Sequence, residues 1–291
     1  MDNRNLSLRK ILSVAKTEYI KWVTNPRMIL FVAMIIFVYD YIIKVLIENS
    51  DKMSKYINVI EPFIAIGNSP FLLFVIPIIF LALISDFPKS DGNSMFYMIR
   101  TGKVNWMLGQ LLFAIYAGVS YIVAIFAVSC LCIMKKAYIY NAWSDVTTKY
   151  FIEFPDEKNI LSELINARLY NNLLPNQALL HTSVLVIFMI IIIALVQLLA
   201  FSYSKKILGL LLNITVLCVG IGSTIFEGVV KWVFPVSNAI TWMHYDDIFK
   251  KPVVPIVNSY MYFGIILLVL IIWNIFAIKR YDFSKVEDLE D

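Results

Sequence analysis

The stretch Thr182–Tyr203 reads TSVLVIFMIIIIALVQLLAFSY and contains no charged residue. A helix rises about 1.5 Å per residue, so about 20 apolar residues cross the roughly 30 Å hydrocarbon layer of a bilayer. Backbone N–H and C=O groups find no water inside lipid, so a continuous apolar run of this length has to form a helix. The stretch therefore predicts a membrane-spanning helix.

Further runs on both sides of this stretch have similar length and composition. Hydrophobic residues make up 60% of the 291 residues and charged residues 16%, whereas soluble domains usually carry about 25% charged residues. The alternating pattern of a membrane β-barrel is absent from the sequence. We predict an all-α integral membrane protein in which residues 1–291 form a single transmembrane domain. Its six transmembrane helices would be Met28–Ile47, Phe63–Ile84, Trp106–Met134, Thr182–Tyr203, Ile207–Phe226 and Ser259–Ile278.

The distribution of lysine and arginine predicts the orientation. With the N-terminus inside, the cytoplasmic segments carry 14 of these residues in 64 positions, and the outer segments carry 10 in about 95. Basic residues concentrate on the cytoplasmic side of membrane proteins. We therefore expect a multi-pass protein of the cell membrane with both termini in the cytoplasm.

Residues 6–25, LSLRKILSVAKTEYIKWVTN, are predicted to form an amphipathic elbow helix before the first span. Apolar and aromatic residues recur at steps of three and four, and basic and hydroxyl residues fill the other face, as in helices that lie in the plane of the headgroups. Asn25-Pro26 would end the helix, because the residue before proline disfavours helical backbone. The alternative is a generic basic anchor that only fixes topology.

The third span is unusually long. Val104–Met134 comprises 31 residues, or about 46 Å as a helix. Because this exceeds the hydrocarbon thickness, the helix has to tilt or project into the cytoplasm.

Two outer segments are too long to be simple turns. Residues 135–181 are predicted to form an extracellular loop with a short helix around Ile160–Leu173, because loops of this length usually fold or bind something. Residues 227–258 contain apolar pieces too short to cross the membrane, broken at Pro235, Pro252 and Pro255. We interpret them as a re-entrant or interfacial outer segment.

The sequence offers no catalytic constellation. His181 and His244 are its two histidines, and the H-E-x-x-H and G-x-S-x-G motifs are absent. Gly102-Lys103 lacks the upstream glycine of a phosphate-binding loop and is followed by Val104. We predict that the chain is not an enzyme, holds no cofactor or metal and binds no nucleic acid.

A few polar residues lie within the predicted spans. Asp40 and Lys44 are four residues apart on one helix face, which predicts an intramembrane ion pair near the outer end of the first span. Glu227, at the outer end of the fifth span, is a candidate gate or cation contact. Four amide residues are expected to join helices to one another rather than to line a substrate path: Gln110, Gln197, Asn213 and Asn274.

The segment between the second and third spans, residues 85–105, reads SDFPKSDGNSMFYMIRTGKVN. Met95, Phe96, Met98 and Ile99 supply an apolar stripe to a predicted short helix across the cytoplasmic face. Such a stripe suits a groove on a soluble partner. The alternative is a turn whose apolar residues lie against the headgroups.

This arrangement resembles the membrane subunit of a type-2 ATP-binding-cassette exporter, the ABC-2 family. The shared layout is an amphipathic elbow, six spans with both ends inside, a cytoplasmic loop between spans 2 and 3, and re-entrant segments between spans 5 and 6. Locally, Asp86, Asp91-Gly92 and RTGKVNWMLGQ (100–110) look like the coupling loop of that family. Thr101 stands where proline is typical, and Gln110 replaces a basic residue.

The resemblance implies an ATP-driven permease. A separate cytoplasmic nucleotide-binding ATPase subunit would dock on the coupling loop, and a second permease subunit, identical or different, would complete the path through the lipid bilayer. The implied contact residues are Asp86, Asp91, Gly92, Phe96, Arg100 and Lys103. Two other classes stay open: an accessory or sensor membrane protein that uses the 135–181 loop, and an intramembrane enzyme.

Overall fold

The computed structural model describes residues 6–88, 92–157, 164–226, 228–246 and 252–280, with side chains in the helix that starts at residue 92 described from residue 97 onward. Five helices in these ranges are long and apolar enough to cross a membrane: Met28–Met53, Lys103–Lys136, Pro175–Ser202, Lys206–Thr224 and Ile256–Arg280. The all-α, multi-pass character predicted from the apolar runs is therefore confirmed.

The helices follow one another along the chain with short connections. The first group is α1 (Leu8–Val23), α2 (Met28–Val38), α3 (Lys44–Met53), α4 (Glu61–Asn68), α5 (Leu72–Leu83), α6 (Gly92–Thr101) and α7 (Lys103–Ile133). The second group is α8 (Asp145–Glu153), α9 (Ala167–Asn172), α10 (Pro175–Ser202), α11 (Lys206–Thr224), α12 (Pro235–Ala239) and α13 (Ile256–Arg280). A π-helical turn, Tyr39–Ile43, joins α2 to α3 without a break in the helix.

The predicted second span is not one helix. The chain bends by 84° between α4 and α5, so the prediction of a continuous helix over Phe63–Ile84 is wrong. Ser69 precedes Pro70 and adopts an extended backbone, with ψ 118°, because a residue before proline disfavours helical backbone. The pair α4–α5 is either one broken span or a re-entrant hairpin, which makes the number of spans six or five.

Helix α10 lies at the centre of the bundle. It packs against α7, α11 and α13, and also against α4 and α12. The side chains of Leu185, Ile190 and Leu198 are completely buried, whereas α11 and α13 direct Leu211, Ile265 and Phe276 outward. The central position of α10 explains why its sequence is apolar on every side.

One end of the bundle carries a small folded cap. The two-residue strands β1 (Ile57–Asn58) and β2 (Ala137–Tyr138) pair in parallel, and α8 and α9 lie beside them. The helix predicted around Ile160–Leu173 appears only as α9, while residues 158–163 lie outside the described ranges. Helix α8 was not predicted, although Ser144 is a typical N-cap whose hydroxyl accepts a hydrogen bond from the Thr147 N–H at 3.1 Å. We call this end the α8 end and the opposite one, where α1 and α6 lie, the α1 end.

The described part of the predicted outer segment, residues 228–246 and 252–258, consists of short pieces. Two 3₁₀ turns, Val230–Val233 and Thr241–His244, flank α12. Pro235 does not break a helix here but occupies the first turn of α12, where its missing N–H has no helical partner to lose. These pieces pack over the α8 end of α10 and α11.

Candidate functional site at the α1 end

The predicted coupling segment contains the expected short helix. Helix α6 ends at Thr101, and α7 begins two residues later at Lys103. Gly102 between them has a φ of 91°, a left-handed conformation that glycine adopts without steric cost. The prediction of a short helix is confirmed, and Gly102 alone separates α6 from the 31-residue helix α7.

Hydrogen bonds hold α6 against α1. The Tyr97 hydroxyl of α6 lies 2.7 Å from the Ser13 hydroxyl of α1. The backbone N–H of Ser7 donates to the Asn105 side-chain oxygen at 3.0 Å, and the Asn105 amide donates to the Thr101 carbonyl at 3.0 Å. The middle of the short helix is therefore bonded to α1, and its last residue to the first turn of α7.

Helix α1 packs closely along α7. A Cβ atom built on Gly109 would lie 2.5 Å from the Val14 Cβ, so only glycine at 109 permits this approach. Val14 and Ala15 are completely buried and Glu18 nearly so. The face of α1 that packs coincides with the predicted apolar stripe only in part: Ala15 and Trp22 are buried, whereas Leu8 and Leu12 are exposed.

Asp86 forms an ion pair within the chain. Its carboxylate lies 2.8 Å from the Arg27 guanidinium, which also donates to the Ser85 hydroxyl at 2.9 Å. The Lys206 ammonium, at the start of α11, donates to the Pro88 carbonyl at 2.8 Å. These contacts fix the segment leading from α5 toward α6 to the first turns of α2 and α11. The pairing with Arg27 was missed, although opposite charges at the same end of two neighbouring spans were visible in the sequence.

The other predicted contact residues are only partly placed together. Arg100 lies exposed in the last turn of α6, and Lys103 is the first residue of α7. Gly92 begins α6, while the side chain of Phe96 and the whole of Asp91 lie outside the described residues. In the stripe itself, Met98 is buried against the bundle and Ile99 is half exposed.

The predicted intramembrane ion pair is not formed. In the part of the chain that the structure describes, Asp40 and Lys44 are both exposed and neither lies within ion-pairing distance of the other. Both residues lie in or directly beside the π-helical turn Tyr39–Ile43, and in such a turn the backbone bonds join residues five apart. Glu227, the candidate gate, lies outside the described residues.

A second polar site, not foreseen from the sequence, lies at the two ends of α4. The carboxylate of Glu61 is completely buried and accepts three hydrogen bonds: from the Ser144 N–H at 2.6 Å, the Ser144 hydroxyl at 2.6 Å and the Thr147 hydroxyl at 2.9 Å. The N-terminus of α8 presents free N–H groups and a positive dipole end to this buried acceptor. Glu61 thereby attaches α4 to the cap.

Asn68 attaches the other end of α4 to α10 and to the turn Thr241–His244. Its amide donates to the Thr182 hydroxyl of α10 at 2.8 Å, and its side-chain oxygen accepts from the Thr241 N–H at 2.9 Å. The Asn68 carbonyl, released by the break before Pro70, accepts the Trp242 indole N–H at 2.9 Å. A break at membrane depth is tolerated where protein groups satisfy the backbone in this way. The Ser69-Pro70 pair was the sequence signal for it.

Metal binding finds no support in the described ranges, where no three His, Cys, Asp or Glu side chains are placed to share an ion. No protein-family model matches the chain, and comparison with curated proteins and with solved structures gives no match either.

Proposed function

We propose that this chain is the permease subunit of a type-2 ATP-binding-cassette exporter, and that a separate ATPase subunit docks on α6 at the α1 end. The α1 end then faces the cytoplasm, in agreement with its higher density of lysine and arginine. A second permease subunit completes the path, since a bundle of this size makes half of such a transporter. Each α1 is then the elbow helix, packed along the α1 end of α7.

The attachment of α6 to α1 and α7 is the observation that supports the proposal. A chain needs only a few residues to turn between two spans, yet α6 is a ten-residue helix, joined to α7 by the single non-helical residue Gly102 and bonded to α1 through Tyr97 and Ser13. A force applied to α6 is thus transmitted to a helix that runs the full length of the bundle. Exposed Ile99 and Arg100 give its outer face the mixture of apolar and charged groups that suits a protein groove.

Replacement of α6 surface residues tests the contact. Arg100→Ala and Phe96→Ala are expected to weaken binding of the ATPase subunit about tenfold, as for an interface hot spot, and to lower its stimulated ATP hydrolysis without reducing membrane insertion. Lys16→Ala, an exposed basic residue on neighbouring α1, is the matched control and should leave both unchanged. Undiminished coupling in both α6 variants would exclude this helix as the contact.

Purification from native membranes in mild detergent tests the proposal itself. A P-loop ATPase should co-purify with the wild-type chain in a fixed ratio. Its absence would favour the second candidate, an accessory or sensor membrane protein. One observation supports that alternative. Ion pairs fix the cap at the α8 end to the end of α3: Lys52 lies 2.7 Å from Glu157, and Lys55 lies 3.0 Å from Asp145. A cap held in this way has the fixed shape that recognition of a partner requires.

A further inference from the structure

Of the four amide side chains that were expected to join helices, three do so. The Asn213 amide donates to the Ile193 carbonyl at 3.2 Å, which links α11 to α10. The Asn274 amide donates to the Leu195 carbonyl at 3.2 Å, which links α13 to α10. The Gln197 amide donates to the Lys206 carbonyl at 3.3 Å, at the start of α11.

Gln110 is different. Its side chain is completely buried, and within the described residues neither its nitrogen nor its oxygen has a hydrogen-bond partner. The Trp106 indole N–H, one helical turn away on the same face of α7, is also buried and unpartnered. Buried polar groups in proteins are nearly always hydrogen-bonded to protein or to water. Two such groups on one face therefore indicate a partner that is not part of the chain.

The packing of α7 on α10 shows that Trp106 and Gln110 lie on the face of α7 that is turned toward α10. The Trp106 ring lies 5.7 Å from the Phe201 ring, and a Cβ on Gly118 would lie 3.1 Å from Ile191. The two helices are antiparallel, so Gln110 lies level with residues 197 and 198 of α10. Two more unpartnered oxygens occur near this depth, those of Gln197 and Asn274.

We propose that Trp106 and Gln110 form a hydration site in the half of the bundle nearest the α1 end, with the side-chain oxygens of Gln197 and Asn274 in the same polar layer. The indole and amide N–H groups donate to water, and the three amide oxygens accept from it. All of these groups are neutral, which suits water or an uncharged hydroxyl group and offers no counter-charge to an ion. If the proposed transport function is correct, this layer is the inner end of the substrate path.

Cysteine labelling tests the site, because a thiol reacts as its thiolate and ionises poorly in dry apolar surroundings. In a background with Cys130, Cys132 and Cys218 replaced by alanine, Gln110→Cys is compared with Ala114→Cys. Ala114 is equally buried and lies one turn along the same face of α7. A charged, water-soluble methanethiosulfonate added from the α1 side of sealed vesicles should modify Gln110→Cys at least about tenfold faster.

A second pair of positions keeps the test decisive if Gln110→Cys does not fold. Asn274→Cys should react faster than Leu270→Cys, one turn away on α13, and all variants should elute as the wild type does on size exclusion. Equal and slow labelling at both pairs, or faster labelling from the α8 side, would overturn the hydration site. The labelling needs no ATPase, so failure of the docking proposal leaves this result intact, and a dry layer leaves the docking proposal intact.

Discussion

Gly67 and Thr182 form one of the closest contacts between α4 and α10. A Cβ on Gly67 would lie 2.3 Å from the Thr182 Cγ2, which is impossible without movement of one helix. Next to it, the Thr182 hydroxyl holds the Asn68 amide. One threonine thus sets both the approach of the two helices and the hydrogen bond at the break.

Gly67→Ala is expected to destabilise the protein by about 1–3 kcal/mol, the usual cost of overpacking a core. Thr182→Ser removes the clashing methyl group and keeps the hydroxyl, so the double variant should recover most of that loss in thermal unfolding. Gly264→Ala, where the new Cβ meets open space, is the control and should change stability little. Additive effects of Gly67→Ala and Thr182→Ser would contradict the contact.

Glu61 is the residue on which the attachment of the cap depends. Glu61→Ala leaves the Ser144 N–H and two hydroxyl groups without their buried acceptor, at a cost of about 1–3 kcal/mol. The lost stability should appear as faster limited proteolysis within residues 137–157. Exposed Glu153, in the same cap, provides the control variant Glu153→Gln. Unchanged proteolysis of Glu61→Ala would show that the cap is held by other contacts.

At the scale of elements, ion pairs fix the cap to the end of α3. Hydrogen bonds from Lys149 and then Lys55 hold the pKa of the Asp145 carboxyl below its usual value, and hydrogen bonds from Lys52 and then Tyr150 do the same to the pKa of Glu157. A carboxyl with a lowered folded-state pKa stabilises the fold above its unfolded pKa, and the effect is lost as the pH falls through the folded value.

The cap is therefore expected to loosen below the ordinary carboxyl pKa of about 4, with little change between pH 6 and pH 8. Hydrogen exchange of α8 measured across this range checks the prediction, and α10 in the same sample serves as the reference. Lys52→Met should reduce the stability that is lost on acidification, since the folded-state pKa of Glu157 then moves back toward its ordinary value. Loosening that begins near pH 7 would point to other groups.

The helix boundaries show which helices the hydrophobic pattern of the sequence can predict. Helix α7 was predictable to within three residues, because its apolar run is uninterrupted. Helix α8 was not, because Asp145–Glu153 is short and its stability depends on Glu61, a residue distant in sequence. The predicted Asp40–Lys44 pair is not formed, because spacing along one helix allows two side chains to meet but does not make them do so, and both are exposed.

At the scale of the whole molecule, the bent pair α4–α5 decides the topology. If the pair crosses the membrane as one broken span, the chain has six crossings and both termini lie on one side. If it is a re-entrant hairpin, the chain has five crossings and the termini lie on opposite sides. The proposed permease arrangement requires the first.

We expect epitope tags at both termini to be digested by protease in inverted vesicles and protected in sealed right-side-out vesicles. A tag after Asn141, an exposed position between β2 and α8, should show the reverse and serves as the internal control. Termini on opposite sides would exclude the six-span arrangement that the proposed permease requires.

The sequence by itself determined that this protein is built for a lipid environment. Apolar runs of about 20 residues cannot leave their backbone groups unpaired in lipid, so long helices follow from composition alone. Only the tertiary structure decided where a run is broken and which polar groups meet. The break at Ser69 persists because Trp242 and Thr241, more than 170 residues away, satisfy Asn68. The role of Gln110 depends likewise on which helix faces it, because hydrogen bonds are made between neighbours in space.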